Sequence, residues 1–167
     1  QLVRWDQQLI SQHDGESGSS TLQHTSVLAE LAAEMLFVAT RPRRRFFADE
    51  LEQIAYRHKC LSKTLLESRL IQKSNPILEE FEFTSDSFLV YLAAVDLAGP
   101  AKHPWCEERF DAAITSPLRF EALLHYAAIK RSEHSRIREH AERWSSQIDE
   151  GKVILLRLAR LSKVTAW

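Results

Sequence analysis

The apolar positions of this chain fall mostly at helical spacing. Leu2, Trp5 and Leu9 sit at i, i+3 and i+7 and predict a short amphipathic helix. Leu28, Leu31, Ala32, Met35 and Leu36 widen the same rule into a stripe. That helix is expected to end before Arg41-Pro42, because the residue ahead of a proline avoids the helical region. Phe46 and Phe47 lead into a second helix through Leu51, Ile54 and Ala55, and Leu61, Leu65, Leu66 and Leu70 mark a third. Short helices joined by tight links predict a helix-turn-helix-like core. The period then changes. Ile71-Gln72-Lys73 and Phe81-Glu82-Phe83-Thr84 read as two strands around a turn at Ser74-Asn75-Pro76, a small wing. Thr84 or Ser85 caps the next helix, whose stripe is Phe88, Tyr91, Leu92 and Val95, and Gly99-Pro100 stops it. Phe81 and Phe83 on one strand face, with Phe88 and Tyr91 on one helix face, are expected to close a small core.

The remainder is helical in pattern. Trp105 to Ile114 is a short segment broken at Ser116-Pro117, and Phe120, Leu123, Leu124 and Ala127 form another stripe. Ser132 opens a long helix with Ile137, Ala141, Trp144 and Ile148 inward. Its outer face carries Arg138–Glu142 and Glu139–Arg143 at i, i+4. Gly151 breaks it, and a last helix from Lys152 to Lys163 places Ile154, Leu155, Leu158 and Leu161 on one side. Its Arg157, Arg160 and Lys163 beside that surface suit packing on a following helix better than lying on a membrane.

Composition narrows the class. With 167 residues, 44% hydrophobic and 27% charged, the chain has enough apolar surface for a packed core. A net charge of −1 gives no global attraction to nucleic acid or an anionic membrane. No apolar run is long enough to span a bilayer. The start lacks Met and a secretory pattern, and both ends are expected to continue into a longer chain. Cys60 and Cys106 make no disulfide framework, which points to a reducing, cytoplasmic setting.

Catalytic chemistry is hard to place on these residues. Gly15, Gly18, Gly99 and Gly151 fit no phosphate-binding loop of the form Gly-x-x-x-x-Gly-Lys-Ser/Thr. His103 with Cys106, and His58 with Cys60, lack a second ligand pair, so no metal is expected. There is no nucleophile elbow, and the segment reads as no enzyme. The sharpest charge cluster is Arg41-Pro42-Arg43-Arg44-Arg45. It reads as a solvated loop past a helix C-terminus, where cations suit the helix dipole. The functional reading has Arg43, Arg44 and Arg45 contacting nucleotide phosphate, an acidic neighbouring domain or nucleic acid. Arg57, His58, Lys59, Lys63 and Arg69 flank or occupy the third helix, which in DNA-binding winged helices enters the major groove. Glu67 and the near-neutral total weaken that alternative.

Leu65-Leu66-Glu67-Ser68-Arg69-Leu70-Ile71, followed by Phe81-Glu82-Phe83-Thr84-Ser85-Asp86-Ser87-Phe88-Leu89-Val90-Tyr91-Leu92-Ala93-Ala94, resembles the winged helix of STAND NTPases, especially the NACHT group. Leu2-Val3-Arg4-Trp5-Asp6 resembles the last helix of that family's first helical domain. The resemblance covers roughly residues 1–98. It implies a mainly α fold: a winged helix with a small β-hairpin wing and a further helix, then a helical bundle or array. Residues 1–13 would end a preceding helical domain, 14–24 form a flexible linker, 25–100 the winged helix and 101–167 a helical domain. It implies a non-catalytic regulatory segment of a nucleotide-switched signalling or defence NTPase. The partner would be the NTPase domain of the same parent chain, which would bind ADP or ATP with Mg, and self-association would follow activation. Two positions depart from the family. Its phosphate-approaching His falls on Ser85, which carries no positive charge, and its Glu falls on Val90. The alternatives are a winged-helix DNA-binding module with a helical dimerisation tail, and a helical adaptor that binds protein through 101–167.

Overall fold

The structure is a computed structural model that describes residues 18–75, 77–99, 113 and 116–145. The segments expected to be helical at 2–9 and 152–163, and most of 105–114, lie outside the described residues. The first described helix, α1, runs Gly18–Ala33 and continues into a π-helical turn, Glu34–Val38. Strand β1 (Arg45–Phe47), helix α2 (Ala48–Arg57) and the short helix α3 (Ser62–Leu66) follow. The wing is β2 (Ile71–Asn75) and β3 (Glu80–Phe83), and α4 (Asp86–Ala98), α5 (Pro117–Ile129) and α6 (His134–Ser145) complete the order.

The stripe Leu28, Leu31, Ala32, Met35 and Leu36 is buried as its spacing predicts. The flexible linker expected at 14–24 is corrected over 18–24, which form the first turns of α1; residues 14–17 lie outside the described residues. Gly and Ser are tolerated there because first-turn N–H groups lack an intrahelical partner in any case. At the other end, the amide of Ala39 donates to the carbonyl of Glu34, five residues back, at 3.0 Å. That bond is what makes the last turn π-helical and wide.

Phe46 and Phe47 were expected to lead directly into a helix. Instead Arg45–Phe47 pairs with β3, so the wing is a three-stranded antiparallel sheet of order β1-β3-β2. A run of only three residues is too short for a period-2 pattern to stand out, and its pairing partner lies 35 residues away. The register sets Phe46 opposite Phe81 and Ile71 opposite Phe83. The Phe46 ring lies 6.0 Å from that of Phe81 and 6.1 Å from that of Phe83. At the base of the wing, the amide of Thr84 donates to the carbonyl of Leu70 at 2.9 Å.

One core joins these pieces. Leu31 and Leu36 of the first helical run, Phe46, Leu51 and Ile54, Leu65, Ile71, Phe83, and Leu89 and Val90 all belong to it. The hairpin and α4 therefore fold back onto the three preceding helices as one winged-helix-like unit. The third helix is shorter than its apolar spacing suggests: Leu65 is buried but Leu61 is 75% exposed. On α4 the buried positions are Leu89, Val90, Leu92, Ala93, Ala94 and Leu97; of the expected stripe only Leu92 is fully buried, while Phe88, Tyr91 and Val95 are half-buried. The cause is that α4 is packed by α1 on one side and α5 on another, so it is apolar nearly all round. Tyr91 consequently leaves the Phe81–Phe83 core and meets His125 of α5 edge-on at 5.9 Å.

A second core, including Ala94, Leu97, Leu123, Leu124, Tyr126 and Ile137, sits between α4, α5 and α6. Arg119 on α5 ties the two together. Its guanidinium is buried and donates to the carbonyls of Leu36, of Ala39 at 2.8 Å and of Thr40 at 3.5 Å. These carbonyls lie at the end of the α1 run, where a helix leaves acceptors unsatisfied and its dipole is negative. Burial lowers the Arg119 pKa from its ordinary value. On the exposed face of α6 the expected Arg138–Glu142 pair forms at 3.0 Å.

Replacing Phe46 by Ala is expected to cost about 3–5 kcal/mol, the usual loss for emptying an aromatic core site, measured by urea denaturation. Burial holds the His125 imidazole below its ordinary value, partly opposed by Glu121. The neutral form is thus favoured in the fold. Its stabilisation is complete above the unfolded value of 6.5 and is lost as pH falls below that value. Wild-type Tm is expected to drop more than that of His125→Leu between about pH 7.5 and 5.5, read by circular dichroism.

Candidate functional site

The candidate site is the N-terminus of α4, where the wing ends. Ser85 is its N-cap, and the Ser85 hydroxyl oxygen accepts from the Ser87 amide at 3.1 Å. Asp86 occupies the first helical position, where a carboxylate suits the dipole. Arg44 reaches that carboxylate from the loop before β1. Its Nε donates to Asp86 Oδ1 at 2.9 Å and its Nη2 to Oδ2 at 2.8 Å, a bidentate pair. That contact raises the Arg44 pKa further.

The strand geometry directs the other arginines. Burying Phe46 turns Arg45 to the outer face of the sheet, because successive side chains alternate. Arg45 there lies 3.4 Å from Glu80 and 3.7 Å from Glu82. Arg43 Nη1 donates to Glu50 Oε2 at 2.9 Å, and the same carboxylate takes the Phe47 amide at 2.8 Å. That is half of a capping box at the start of α2, since Phe47 has no side-chain acceptor to return. Burial alone would raise the Glu50 pKa, but the hydrogen bonds from Arg43 and Phe47 hold it below the ordinary value.

The three arginines expected to meet a phosphate or a partner therefore each face an acid of this chain. Only Arg44 is next to Ser85, through Asp86; Arg43 and Arg45 are directed to α2 and to the sheet. Any phosphate approaching Ser85 would meet the Asp86 carboxylate first and would have to share Arg44 with it. Val90 is 2% exposed and packs in the main core, so it offers no polar contact.

The basic residues around the third helix divide in two. Arg57 Nη2 lies 2.6 Å from Glu30 and 3.0 Å from Glu34, and His58 Nε2 lies 2.6 Å from the other Glu30 oxygen. Glu30 is only 4% exposed. Sequence reasoning did not single it out, although a Glu between Ala29 and Leu31 in an apolar stripe signals a buried acid in need of a cation. Lys59, Lys63 and Arg69 remain exposed. The α2 C-terminus is a Schellman turn: Lys59 N donates to Tyr56 O at 3.1 Å and Cys60 N to Ala55 O at 2.9 Å. Lys59 there adopts φ 55°, a region that usually takes glycine. Burial pushes the Cys60 thiol up from its ordinary value, against the activation a nucleophile needs.

Among the described residues no group of three or more His, Cys, Asp or Glu side chains could hold a metal ion, and no helix is long and apolar enough to cross a membrane. No family model, no curated protein and no solved structure matches this chain.

Arg44→Ala is expected to change stability by less than about 1 kcal/mol, because both partners of its pair are half exposed. Glu30→Ala should cost about 1–3 kcal/mol by removing the acid that His58 shares with Arg57, which keeps Glu34. Chemical denaturation of the two variants side by side measures the difference.

Proposed function

We propose that this chain is a non-catalytic regulatory segment of a STAND/NACHT-type NTPase, in which the winged helix couples ADP or ATP state to opening and self-association. The observation that carries the reading is the join of wing and helix. Phe81-x-Phe83 ends the sheet, and Ser85 caps the helix that bears Tyr91-Leu92-Ala93-Ala94, all in one winged-helix-like unit. The residue in place of the family's phosphate-approaching His thus stands at a helix N-terminus, where N–H groups favour an anion. The Asp86–Arg44 pair beside it is the element a nucleotide would rearrange. In the resting state the exposed pair is held only weakly, so a competing phosphate could take Arg44 at small cost.

Support for a DNA-binding role is thinner. The helix that would enter the major groove is five residues long, and two of the flanking cations, Arg57 and His58, are committed to Glu30. A protein-adaptor role through 101–167 has no described surface that favours it.

The test starts from the coding sequence upstream of Gln1. A phosphate-binding loop should lie about 200–350 residues earlier, one to two domains away. The parent chain should then purify with ADP, and Arg44→Glu should release it several-fold faster. A parent with no such loop, or nucleotide release unchanged by Arg44→Glu and Ser85→Ala together, overturns the proposal.

A further inference from the structure

The large apolar side chains left exposed are unevenly placed. Tyr56 and Leu61, 85% and 75% exposed, stand at the corner between α2 and α3. Ile77 and Leu78, 89% and 60% exposed, stand at the tip of the wing. The corner is basic: Lys59 and Lys63 are exposed and make no ion pair among the described residues. The tip is acidic: Glu79 is exposed and likewise makes none. Both places are held by hydrogen bonds. Glu30 pins the corner through Arg57 and His58, and Asn75 Oδ1 accepts from the Ile77 amide at 3.0 Å and the Leu78 amide at 3.3 Å.

A second observation links them. Among the described residues only two non-glycine residues have positive φ, Lys59 at 55° and Glu79 at 50°. Glycine would sit in either position more cheaply. A charged side chain stands at both, with opposite sign, each close in sequence to a pair of exposed apolar residues.

We infer that the wing tip Ile77-Leu78-Glu79 of one copy docks on the α2–α3 corner of another, with Ile77 and Leu78 against Tyr56 and Leu61 and Glu79 between Lys59 and Lys63. The second copy is the occupant that the charges select. A nucleic acid would leave the aliphatic Leu61 uncovered, whereas the tip of a second copy covers it with Ile77 and Leu78 and brings Glu79 to the lysines. Apolar contact supplies most of such an association, and the charges fix its orientation. The contact joins two different surfaces, so each copy has one tip and one corner to offer. The inference deepens the self-association part of the proposed function by naming its surfaces, and sedimentation tests it apart from nucleotide release.

Sedimentation velocity of the 167-residue chain tests it. The wild type should associate as concentration rises to about 200 µM, where a contact of micromolar Kd is saturated. Lys59→Glu with Lys63→Glu, or Glu79→Lys alone, should weaken association by about tenfold or more, and the three together should restore it. A corner variant mixed with Ile77→Ser/Leu78→Ser should form only a one-to-one dimer while each alone stays monomeric. Lys59→Gly and Glu79→Gly separate function from folding: each relieves the backbone and should raise Tm while weakening association. A wild type that stays monomeric throughout, or association unmoved by the charge reversals and glycine variants, overturns the inference. Duplex DNA binding lost with the corner lysines, in a chain that does not self-associate, overturns it too.

Discussion

Burial of Phe46 is the constraint on which most of this structure rests. Its ring must lie under the wing, against Phe81 and Phe83, while its backbone is a strand that pairs with β3. Once that residue points inward, its neighbours must point outward. Arg45 is thereby delivered to Glu80 and Glu82, and Phe47 is left to start α2 with Glu50 capping its amide. The loop that precedes the strand then has little freedom, which brings Arg44 to the head of α4. An apolar requirement at one position thus decides the partners of three neighbours, Arg44, Arg45 and Phe47.

The same logic explains why the arginine run is chemically quieter than it looks. Surface guanidinium groups on a free loop would create a strong anion site. Here Arg43, Arg44 and Arg45 are each matched by an acid from a different element: Glu50 of α2, Asp86 of α4, and Glu80 and Glu82 of β3. The pairs do little for stability because most are exposed. Their effect is on recognition, since any anionic ligand must displace a carboxylate. Arg119 is the opposite case. It is buried, has only carbonyl partners among its described hydrogen bonds, and ties α5 to the end of the first helical run. The winged-helix-like unit and the described helices after it therefore meet through a shared helix, α4, and a polar tie.

Much of the architecture was legible in the chain. The apolar spacing located α1, α2, α4 and α5, the aromatic alternation located β3, and Ser85 was recognisable as a cap. What spacing could not reveal were elements defined by partners distant in sequence. Strand β1 exists because β3 is there to bond it. The all-round burial of α4 exists because two helices cover it. Of the candidate site, the residues were identifiable but their mutual distances were not. Glu30 as the anchor of Arg57 and His58 required the fold, since the charges lie 27 and 28 residues apart.

The sequence alone determined a mainly helical chain with a short aromatic wing, because periodicity is a local property that burial imposes on every amphipathic segment. Only the tertiary structure decided which charges cancel and which remain. Ion pairing depends on distances of a few ångströms between residues that the chain brings together only by folding. Hence Arg43, Arg44 and Arg45, conspicuous as a run, are matched to acids. Lys59 and Glu79, inconspicuous in the sequence, stand out on the folded surface in backbone conformations that glycine would normally take.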